Sequence, residues 1–323
     1  MRHTILGAGG SIGNALAYEL LRNKEDVRLV SRSNYSIFGA ESFKADLTLY
    51  QETLKSIERS DIAYLCVGLP YDSRIWSDLW PKIMKNCIDA CKSTGARLIF
   101  FDNTYMYGKV NGLMTEETPW NPCSRKGEIR AGIAALLQDE FRAKNLNAII
   151  ARSADLYGPY ATKTSMPYLL AINNMLNGKK ARWFIDATKL HSFSYTIDCA
   201  KGMILLSGCE ECYNQTWHLP TYNPIDAETF IHIVAWDIGA EPDYILFNKL
   251  QIRIAGLFDR NVYETCEMLY QYEGNYSFDS TKFNDFFKYR PISYYKGIRE
   301  TTDFLLKEMN SYQTNRTPSL LFA

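Results

Sequence analysis

The sequence predicts an α/β fold in which a doubly wound parallel sheet is followed by a smaller α+β lobe. Buried parallel strands are apolar along their whole length, and their alternation with helices is typical of repeated βαβ units. Five apolar runs fit such strands and alternate with three helix-like segments: strands at 3–6, 27–30, 62–67, 97–101 and 148–152, and helices near 11–22, 75–94 and 124–144. After Tyr157 the pattern changes to predicted helices near 165–177 and 226–238, followed by an aromatic-rich stretch at 268–295.

These patterns divide the chain into two lobes. We expect residues 1–155 to form the sheet domain, with 194–222 returning to it. Residues 156–193 and 223–310 should form a substrate-binding lobe, and 311–323 a loosely ordered tail. Because doubly wound sheets bind ligands at the carboxyl ends of their strands, the second lobe should cap that edge and create a cleft.

Composition excludes several classes of partner. The chain has 323 residues, of which 46% are hydrophobic, and its 36 Lys and Arg balance 36 Asp and Glu. With no net charge and no basic stripe, it is not expected to bind nucleic acid. No apolar run approaches the ~20 residues that span a bilayer, and the first residues do not resemble a signal peptide. We expect a cytoplasmic protein without a membrane partner.

The cysteines and histidines do not predict a metal site. Eight cysteines are scattered along the chain, and in a protein of this length we expect them to be free thiols. Cys209 and Cys212 form an isolated Cys-x-x-Cys, without a second pair or a nearby histidine at ligand spacing. The four histidines lie far apart in sequence.

A glycine-rich turn, "GAGGSIG", directly follows the first predicted strand. Gly7, Gly10 and Gly13 are spaced so that the chain can turn sharply, approach a pyrophosphate and pack a helix closely on the sheet. The helix that begins near Ser11 and Ile12 would offer unpaired N–H groups and its positive dipole end to the phosphates. In this strand, turn and helix context the motif predicts a Rossmann-type dinucleotide site.

The end of the second strand indicates which cofactor binds. NAD sites usually have a carboxylate there for the ribose 2′-OH, whereas a 2′-phosphate needs arginine and small donors. The chain has Ser31, Arg32 and Ser33, which favours NADP(H) over NAD(H). The alternative is that Arg32 is simply a solvated surface residue.

Several further motifs resemble those of one family. "GAGGSIG", "ADL" (45–47), "FFDNTYMYG" (100–108), "ARSADLYGPY" (151–160) and "HSFSYTIDCA" (191–200) occur in the order and spacing of the extended short-chain dehydrogenase/reductases, the NAD(P)-dependent epimerase/dehydratase group. The C-terminal stretch 279–302 is also similar to this family. The resemblance implies that Asp46 and Leu47 lie beside the adenine, and that Val67 and Gly68 lie along the cofactor.

The resemblance fails at the family's catalytic set, which is a Ser or Thr followed downstream by Tyr-x-x-x-Lys. Counting back from the Tyr-Gly pair places Asn103 at the Ser/Thr position. If Lys126 were the family's lysine, the tyrosine would fall on Pro122; if Arg130 is, it falls on Lys126. The second register places the apolar residues that follow Arg130 on one helical face, so we prefer it.

In this register Lys126 and Arg130 lie one helical turn apart. Arg130 could hold the nicotinamide ribose but cannot pass on a proton. Lys126, in a cationic and partly desolvated place, could act as the acid/base. Tyr105 is a second candidate, because the family's sugar dehydratases have an acidic catalytic residue at that position. The alternative is that 126–130 is a solvated helix start and Tyr105 a packing residue.

The substrate side also departs from the family pattern. Nucleotide-sugar enzymes have Asn and Arg where this chain has Asp155 and His191. A carboxylate repels a diphosphate, so a small carbonyl or hydroxyl substrate is preferred over a nucleotide sugar. The leading hypothesis is an NADP(H)- or NAD(H)-dependent oxidoreductase with an altered active site. The alternatives are a non-enzymatic NADP(H) sensor and a nucleotide-sugar epimerase or dehydratase; a homodimer through helices 75–94 and 124–144 is possible.

Overall fold

The structure is a computed structural model that describes residues 1–314. In that range the strands are β1 (Arg2–Leu6), β2 (Asp26–Ser31), β3 (Glu41–Lys44), β4 (Ile62–Leu65), β5 (Arg97–Asp102), β6 (Leu113–Met114), β7 (Ala148–Arg152), β8 (Asp155–Tyr157), β9 (Ala181–Phe184), β10 (Leu190–His191), β11 (Phe193–Tyr195), β12 (Gln215–His218), β13 (Ile225–Asp226), β14 (Tyr244–Phe247) and β15 (Ser277–Phe278). The α-helices are α1 (Ser11–Arg22), α2 (Tyr50–Ile57), α3 (Ser73–Thr94), α4 (Arg125–Arg142), α5 (Asn173–Leu176), α6 (Thr196–Ser207), α7 (Ala227–Ile238), α8 (Lys249–Gly256), α9 (Arg260–Thr265), α10 (Thr281–Phe287) and α11 (Tyr294–Thr314). Short 3-10 turns occupy Tyr105–Tyr107, Glu210–Cys212 and Cys266–Tyr272, and Tyr168–Ile172 is π-helical.

The main sheet has seven parallel strands in the order β12-β7-β5-β4-β1-β2-β3. Helices α1 and α6 pack on one face, around Leu16 and Met203, and α2, α3 and α4 pack on the other, around Met84 and Leu137. The five predicted strands are the central ones, and each is buried along nearly its whole length. The predicted doubly wound parallel sheet is therefore confirmed.

Several elements of the sheet domain were not predicted, among them β3 and α2. Strand β3 lies at the sheet edge and begins and ends with exposed charged residues, Glu41 and Lys44, so it lacks the apolar run that identifies a buried strand. Helix α2 has only eight residues, of which Thr53, Ser56 and Ile57 are buried. Its apolar face is too short to show a helical period in the sequence.

The second lobe is built around its own aromatic core. Trp183, Phe193 and Phe230 are buried there together with residues from α7 and α11. Small two-stranded pairings, β9 with β14 and β10 with β13, complete it. The lobe is α+β, as predicted, and it follows the sheet domain in the chain except for α6, β12 and α10, which pack on the sheet or extend it.

Two sequence expectations need correction. Of the expected tail at 311–323, residues 311–314 continue α11, and 315–323 lie outside the described residues. The expectation that all cysteines are free was wrong for Cys209 and Cys212, which form a disulfide. The turn that follows α6 brings their Cα atoms to 5.4 Å, a separation that a disulfide can bridge. Among residues 1–314, no helix is long and apolar enough to cross a membrane.

Candidate functional site

A cleft of about 1380 Å³ opens at the carboxyl ends of β1 to β4. It is large enough for a dinucleotide, because pockets for drug-sized ligands occupy roughly 300–1,000 Å³. Ten residues predicted to bind the cofactor line it: Gly7, Gly10, Ser11, Ile12, Ser31, Arg32, Asp46, Leu47, Val67 and Gly68. Gly13 lies just behind this wall, and Arg130 is not part of it.

The glycine turn is held in a conformation that only glycine tolerates. Gly7 has φ +101°, and a Cβ there would lie 2.7 Å from the Cα of Val67. A Cβ on Gly13 would lie 2.9 Å from the carbonyl oxygen of Gly7. Gly10 caps α1 without a side-chain hydrogen bond, and no acidic residue lies in the first helical turn. The first N–H groups of α1 are therefore available to an anion in the cleft.

Where β2 and β3 end at the cleft, Arg32 carries a positive charge, and the carboxylate of Asp46 is hydrogen-bonded within its own loop. Arg32 is exposed and has no hydrogen bond or ion pair in the described part of the chain. The Asp46 carboxylate accepts hydrogen bonds from the N–H and hydroxyl of Thr48. The backbone N–H of Thr48 makes the largest contribution to lowering the pKa of Asp46. The Arg32 guanidinium is thus available to an anionic ligand.

Lys126 is not at the cleft but fully buried between the two lobes. Its ammonium donates to Oε2 of Glu264 at 2.5 Å, to the carbonyl oxygen of Glu264 at 3.0 Å and to Oε1 of Glu267 at 2.7 Å. It also lies 4.4 Å from the ring centroid of Tyr71. All three N–H donors of the ammonium are used, so Lys126 serves as an ion-pair partner that fastens the second lobe to α4.

The same ion pair affects Glu264. Burial acts to raise the pKa of Glu264, but the hydrogen bond from Lys126 and the other donors lower this pKa overall. Glu264 also accepts from the backbone N–H of Ser73 and pairs with Arg260. A buried carboxylate with this many donors is stabilised in its charged form.

Arg130 is likewise held by an acidic partner. Its guanidinium donates to Oδ1 of Asp102 through Nε at 2.8 Å and Nη2 at 2.5 Å, and it packs between the rings of Trp80 and Phe100. Asp102 is fully buried at the end of β5 and also accepts from Arg152. Lys126 and Arg130 both face inward from α4, as the predicted register requires. Each forms an ion pair with a different carboxylate.

The buried network continues from Arg152 to a histidine. Arg152 donates to the hydroxyl of Tyr107 at 2.9 Å, and Tyr107 Oη lies 2.7 Å from Nε2 of His218. Nδ1 of His218 lies 2.7 Å from the carbonyl oxygen of Asp279, which fixes the proton on Nδ1 and leaves Nε2 to accept from Tyr107. Burial lowers the pKa of His218 to about 3, so the ring is neutral.

Asn103 and Tyr105 lie at the turn after β5 and, like Lys126 and Arg130, are not among the residues that line the cleft. The Asn103 side-chain oxygen accepts from the N–H of Tyr105 at 3.1 Å, and among the described residues its amide N–H groups have no protein partner. The Tyr105 ring is half-buried and stacks on Trp76, with 6.4 Å between centroids. Burial is the main cause that raises the pKa of Tyr105 far above its ordinary value, so its hydroxyl keeps its proton.

Asp155 and His191, predicted on the substrate side, are brought together. Oδ2 of Asp155 lies 3.0 Å from Nε2 of His191. The imidazole stacks against Phe193 and Tyr272 at centroid distances of 4.9 and 5.4 Å. Asp155 therefore faces a histidine of its own chain rather than an open anion site.

Sequence reasoning missed the partners of these residues. Glu264 is 138 positions from Lys126 and belongs to a helix with no motif, so no local signal indicated it. Asp102 could have been noticed in the sequence, because it is a carboxylate at the end of an apolar strand. A buried carboxylate needs a cationic partner, so its position indicated an ion pair. Residues of α11 that line the cleft, Leu305 and Met309 among them, were also missed.

The chain matches a protein-family model and one bacterial relative. The model of the NAD dependent epimerase/dehydratase family matches residues 3–211. A protein of Bacillus subtilis (strain 168), described as the uncharacterized UDP-glucose epimerase YtcB, is 21% identical over 239 residues, which are 67% of this chain and 75% of that protein.

Solved structures with the same fold have low sequence identity. The dTDP-glucose 4,6-dehydratase DesIV of Streptomyces venezuelae, with NAD and a second ligand bound, superposes with a TM-score of 0.78 at 17% identity, covering 97% of this chain and 99% of that one. UDP-glucuronic acid 4-epimerase of Bacillus cereus, in complex with NAD, superposes with a TM-score of 0.78 at 17% identity, covering 95% and 99%. UDP-glucose 4-epimerase of Thermus thermophilus, also with NAD, gives 0.77 at 18% identity, covering 95% and 99%.

Proposed function

Because the chain belongs to the NAD-dependent epimerase/dehydratase family, we propose that it is a nicotinamide-dinucleotide-dependent oxidoreductase with an altered reacting site. The observation that carries the proposal is the cleft, which gathers the glycine turn and the ends of β2, β3 and β4 around one space. When bound there, the cofactor would supply or accept the hydride. Its substrate would be a small carbonyl or hydroxyl compound.

We further propose that NADP(H) is preferred to NAD(H). The end of β2 offers a free guanidinium at Arg32 and the hydroxyl of Ser33, and no carboxylate. A 2′-phosphate would gain a charge-assisted hydrogen bond from Arg32, whereas a ribose 2′-OH would lack its usual acceptor. The solved relatives named above hold NAD, so this preference would distinguish the chain from them.

Isothermal titration calorimetry tests the preference directly. Arg32→Ala should weaken NADPH binding by about tenfold or more, since a hydrogen bond to a charged group contributes about 1.5–3 kcal/mol, and should leave NADH binding nearly unchanged. Arg59, which lies in the turn after α2 and outside the cleft, provides the matched control Arg59→Ala. Equal losses for NADPH and NADH would contradict a role for Arg32 in reading the 2′-phosphate.

At the reacting end we propose Tyr105 as the proton donor and Asn103 as the residue that orients the substrate oxygen. Lys126, the other candidate, has its three N–H donors occupied by Glu264 and Glu267. Tyr105 keeps its proton because burial raises its pKa, so it can protonate a carbonyl oxygen that receives a hydride but is a poor base. A tyrosine that keeps its proton can act as an acid, so this assignment corresponds to carbonyl reduction rather than alcohol oxidation.

Turnover of NADPH with a panel of small aldehydes and ketones checks this assignment. Tyr105→Phe should lower kcat by about 100-fold or more while NADPH affinity is kept, because a positioned acid contributes about 10²–10⁴ in rate. Tyr263→Phe, at a half-exposed tyrosine of α9, serves as the control. Unchanged turnover in Tyr105→Phe would remove Tyr105 from the mechanism.

A second candidate function is a binding protein that senses NADP(H) without turnover. The observation that favours it is the commitment of Lys126 and Arg130 to Glu264 and Asp102, so neither is free for proton transfer or ribose binding. This function predicts NADPH binding with no reduction of any carbonyl in the panel, and affinity for a protein partner that changes with the redox state of the cofactor.

A third candidate is a nucleotide-sugar epimerase or dehydratase, which is what the named relatives are described to be. The pairing of Asp155 with His191 removes part of the repulsion that a lone carboxylate would exert on a diphosphate. Thermal stabilisation by UDP- or dTDP-sugars in the presence of cofactor would support this function. No shift across such a panel would exclude it.

We also propose a homodimer formed through α3 and α4. The outer face of α4 exposes Gly132 and Leu136, where a second helix could approach closely. Sedimentation equilibrium measures this property independently of cofactor binding. A monomer at micromolar concentration would contradict it.

A further inference from the structure

Helix α11 reaches the cofactor cleft from the second lobe. Four of its side chains, Phe304, Leu305, Glu308 and Met309, line the same space as the glycine turn. The family motif does not include them, and the proposed function does not account for them.

The first half of α11 is fixed to its own lobe by specific contacts. Asp237 of α7 accepts hydrogen bonds from Arg299 at 3.2 Å and Thr302 at 2.5 Å, and Tyr195 donates to Glu300 at 2.6 Å. A Cβ on Gly297 would lie 2.4 Å from the hydroxyl oxygen of Tyr157, so the helix packs as closely there as glycine allows. These contacts make α11 a fixed wall rather than a free end.

The second half of α11 meets the glycine turn through a stack of rings. Phe304 contacts Tyr160 edge to face at 4.7 Å between centroids, and Tyr160 stacks on Tyr18 of α1 at 5.2 Å with an interplanar angle of 11°. Tyr35 packs over Gly9, where a Cβ would lie 3.3 Å from its ring. All four rings line the cleft. The wall is thus continuous from α11 across Tyr160 to the helix that receives the phosphates.

From this arrangement we infer that α11 is a cofactor-binding element, which closes the cleft beside the diphosphate of the dinucleotide. The inference rests on the proposed function. Its apolar side chains exclude water from the diphosphate, so the contacts that the glycine turn and Arg32 make with the anion act in a less polar medium and are stronger. Met309, at 38% exposure, forms the rim of this wall, and Leu305 forms its base.

A pair of charge substitutions tests the inference. Met309→Glu adds a second carboxylate to the part of α11 that lines the cleft, where Glu308 already supplies one. The added charge should repel the diphosphate and weaken NADPH binding by about tenfold at low salt, with a smaller effect at 1 M salt. Leu306→Glu is the matched control, because Leu306 is 42% exposed on the same helix and does not line the cleft. Neither position is in the core, so both variants should fold.

Titration calorimetry measures the NADPH affinity of the two full-length variants and of the wild type. Weaker NADPH binding in Met309→Glu alone supports the inference. Equal affinities in the two variants overturn it, while leaving the proposed function intact if the wild type binds NADPH. If the wild type binds neither NADPH nor NADH, the proposed function fails and the inference fails with it.

Discussion

Lys126 and Arg130 lie on one inward face of α4, and each pairs with a carboxylate, Glu264 for Lys126 and Asp102 for Arg130. The helical period after Arg130 correctly put Lys126 and Arg130 on one inward face of α4, because periodicity reports which side of a helix is buried. It could not show that Lys126 meets Glu264, 138 residues away, because pairing across lobes depends on how the lobes dock. The ion pair with Glu264 is the reason to propose a structural role for Lys126 in place of the acid/base role.

Removing Lys126 should therefore cost stability. Lys126→Met leaves Glu264 buried with fewer donors, and we expect the free energy of unfolding to fall by about 3 kcal/mol, as is typical when one partner of a buried ion pair is lost. Arg125→Met, at the exposed neighbouring position on the same helix, should cost less than about 1 kcal/mol. Urea denaturation measures both. Lost turnover with wild-type stability in Lys126→Met would show that Lys126 is catalytic instead.

His218 should make stability depend on pH. Its folded pKa of about 3 lies below the ordinary value of 6.5, so between these values the unfolded chain binds a proton that the folded chain does not. The contribution of His218 to stability is complete above pH 6.5 and is lost as the pH falls toward 3, by up to about 1.4 kcal/mol per pH unit.

Urea denaturation of the wild type and of His218→Gln between about pH 5 and pH 7 measures this contribution. The variant should lose stability less steeply than the wild type as the pH is lowered over this interval. Identical pH profiles would show that His218 is protonated in the folded protein or does not titrate differently there.

At the level of elements, hydrophobic periodicity and glycine spacing predicted the long buried elements and the glycine turn. They did not predict the short or half-exposed elements. The central strands and α1, α3 and α4 were found because each is long and buried on a regular face. Edge strand β3 and the short α2 were missed because their residues are mostly polar or half-exposed. The glycine turn was found because its conformation restricts which residues can occupy it.

Two alanine substitutions in the glycine turn should separate folding from cofactor binding. A Cβ on Gly10 lies 3.4 Å from the carbonyl oxygen of Gly7, so Gly10→Ala should change stability by less than about 1 kcal/mol but obstruct the approach of the phosphates. A Cβ on Gly13 lies 2.9 Å from the same oxygen, so Gly13→Ala should cost about 2 kcal/mol or more through backbone displacement. Chemical denaturation and NADPH titration of both variants check this. Equal stability losses would contradict the separation.

At the scale of the whole molecule, the two lobes are joined by ion pairs and enclose one cleft. Glu264 and Glu267 fasten the second lobe to α4, and α11 brings the second lobe to the glycine turn. The fold and the ten predicted residues that line the cleft could be predicted because they follow from local spacing. The closure of the cleft could not, since it depends on contacts between distant segments.

Because the cleft lies between the lobes, a ligand that fills it should stabilise the entire molecule. A cofactor present at about 100 times its Kd should raise the free energy of unfolding by about 2.7 kcal/mol. Thermal denaturation with and without NADPH measures this rise in Tm, and AMP at the same concentration serves as a control for binding of the adenine part alone. A shift no larger with NADPH than with AMP would contradict a cleft that holds the whole dinucleotide.

Calorimetric titration of the wild-type protein with NADPH and then NADH tests whether the cleft is a nicotinamide-dinucleotide site. We expect one site per chain, with a Kd on the order of micromolar for NADPH and weaker binding of NADH. The absence of binding by both cofactors at millimolar concentration would contradict it.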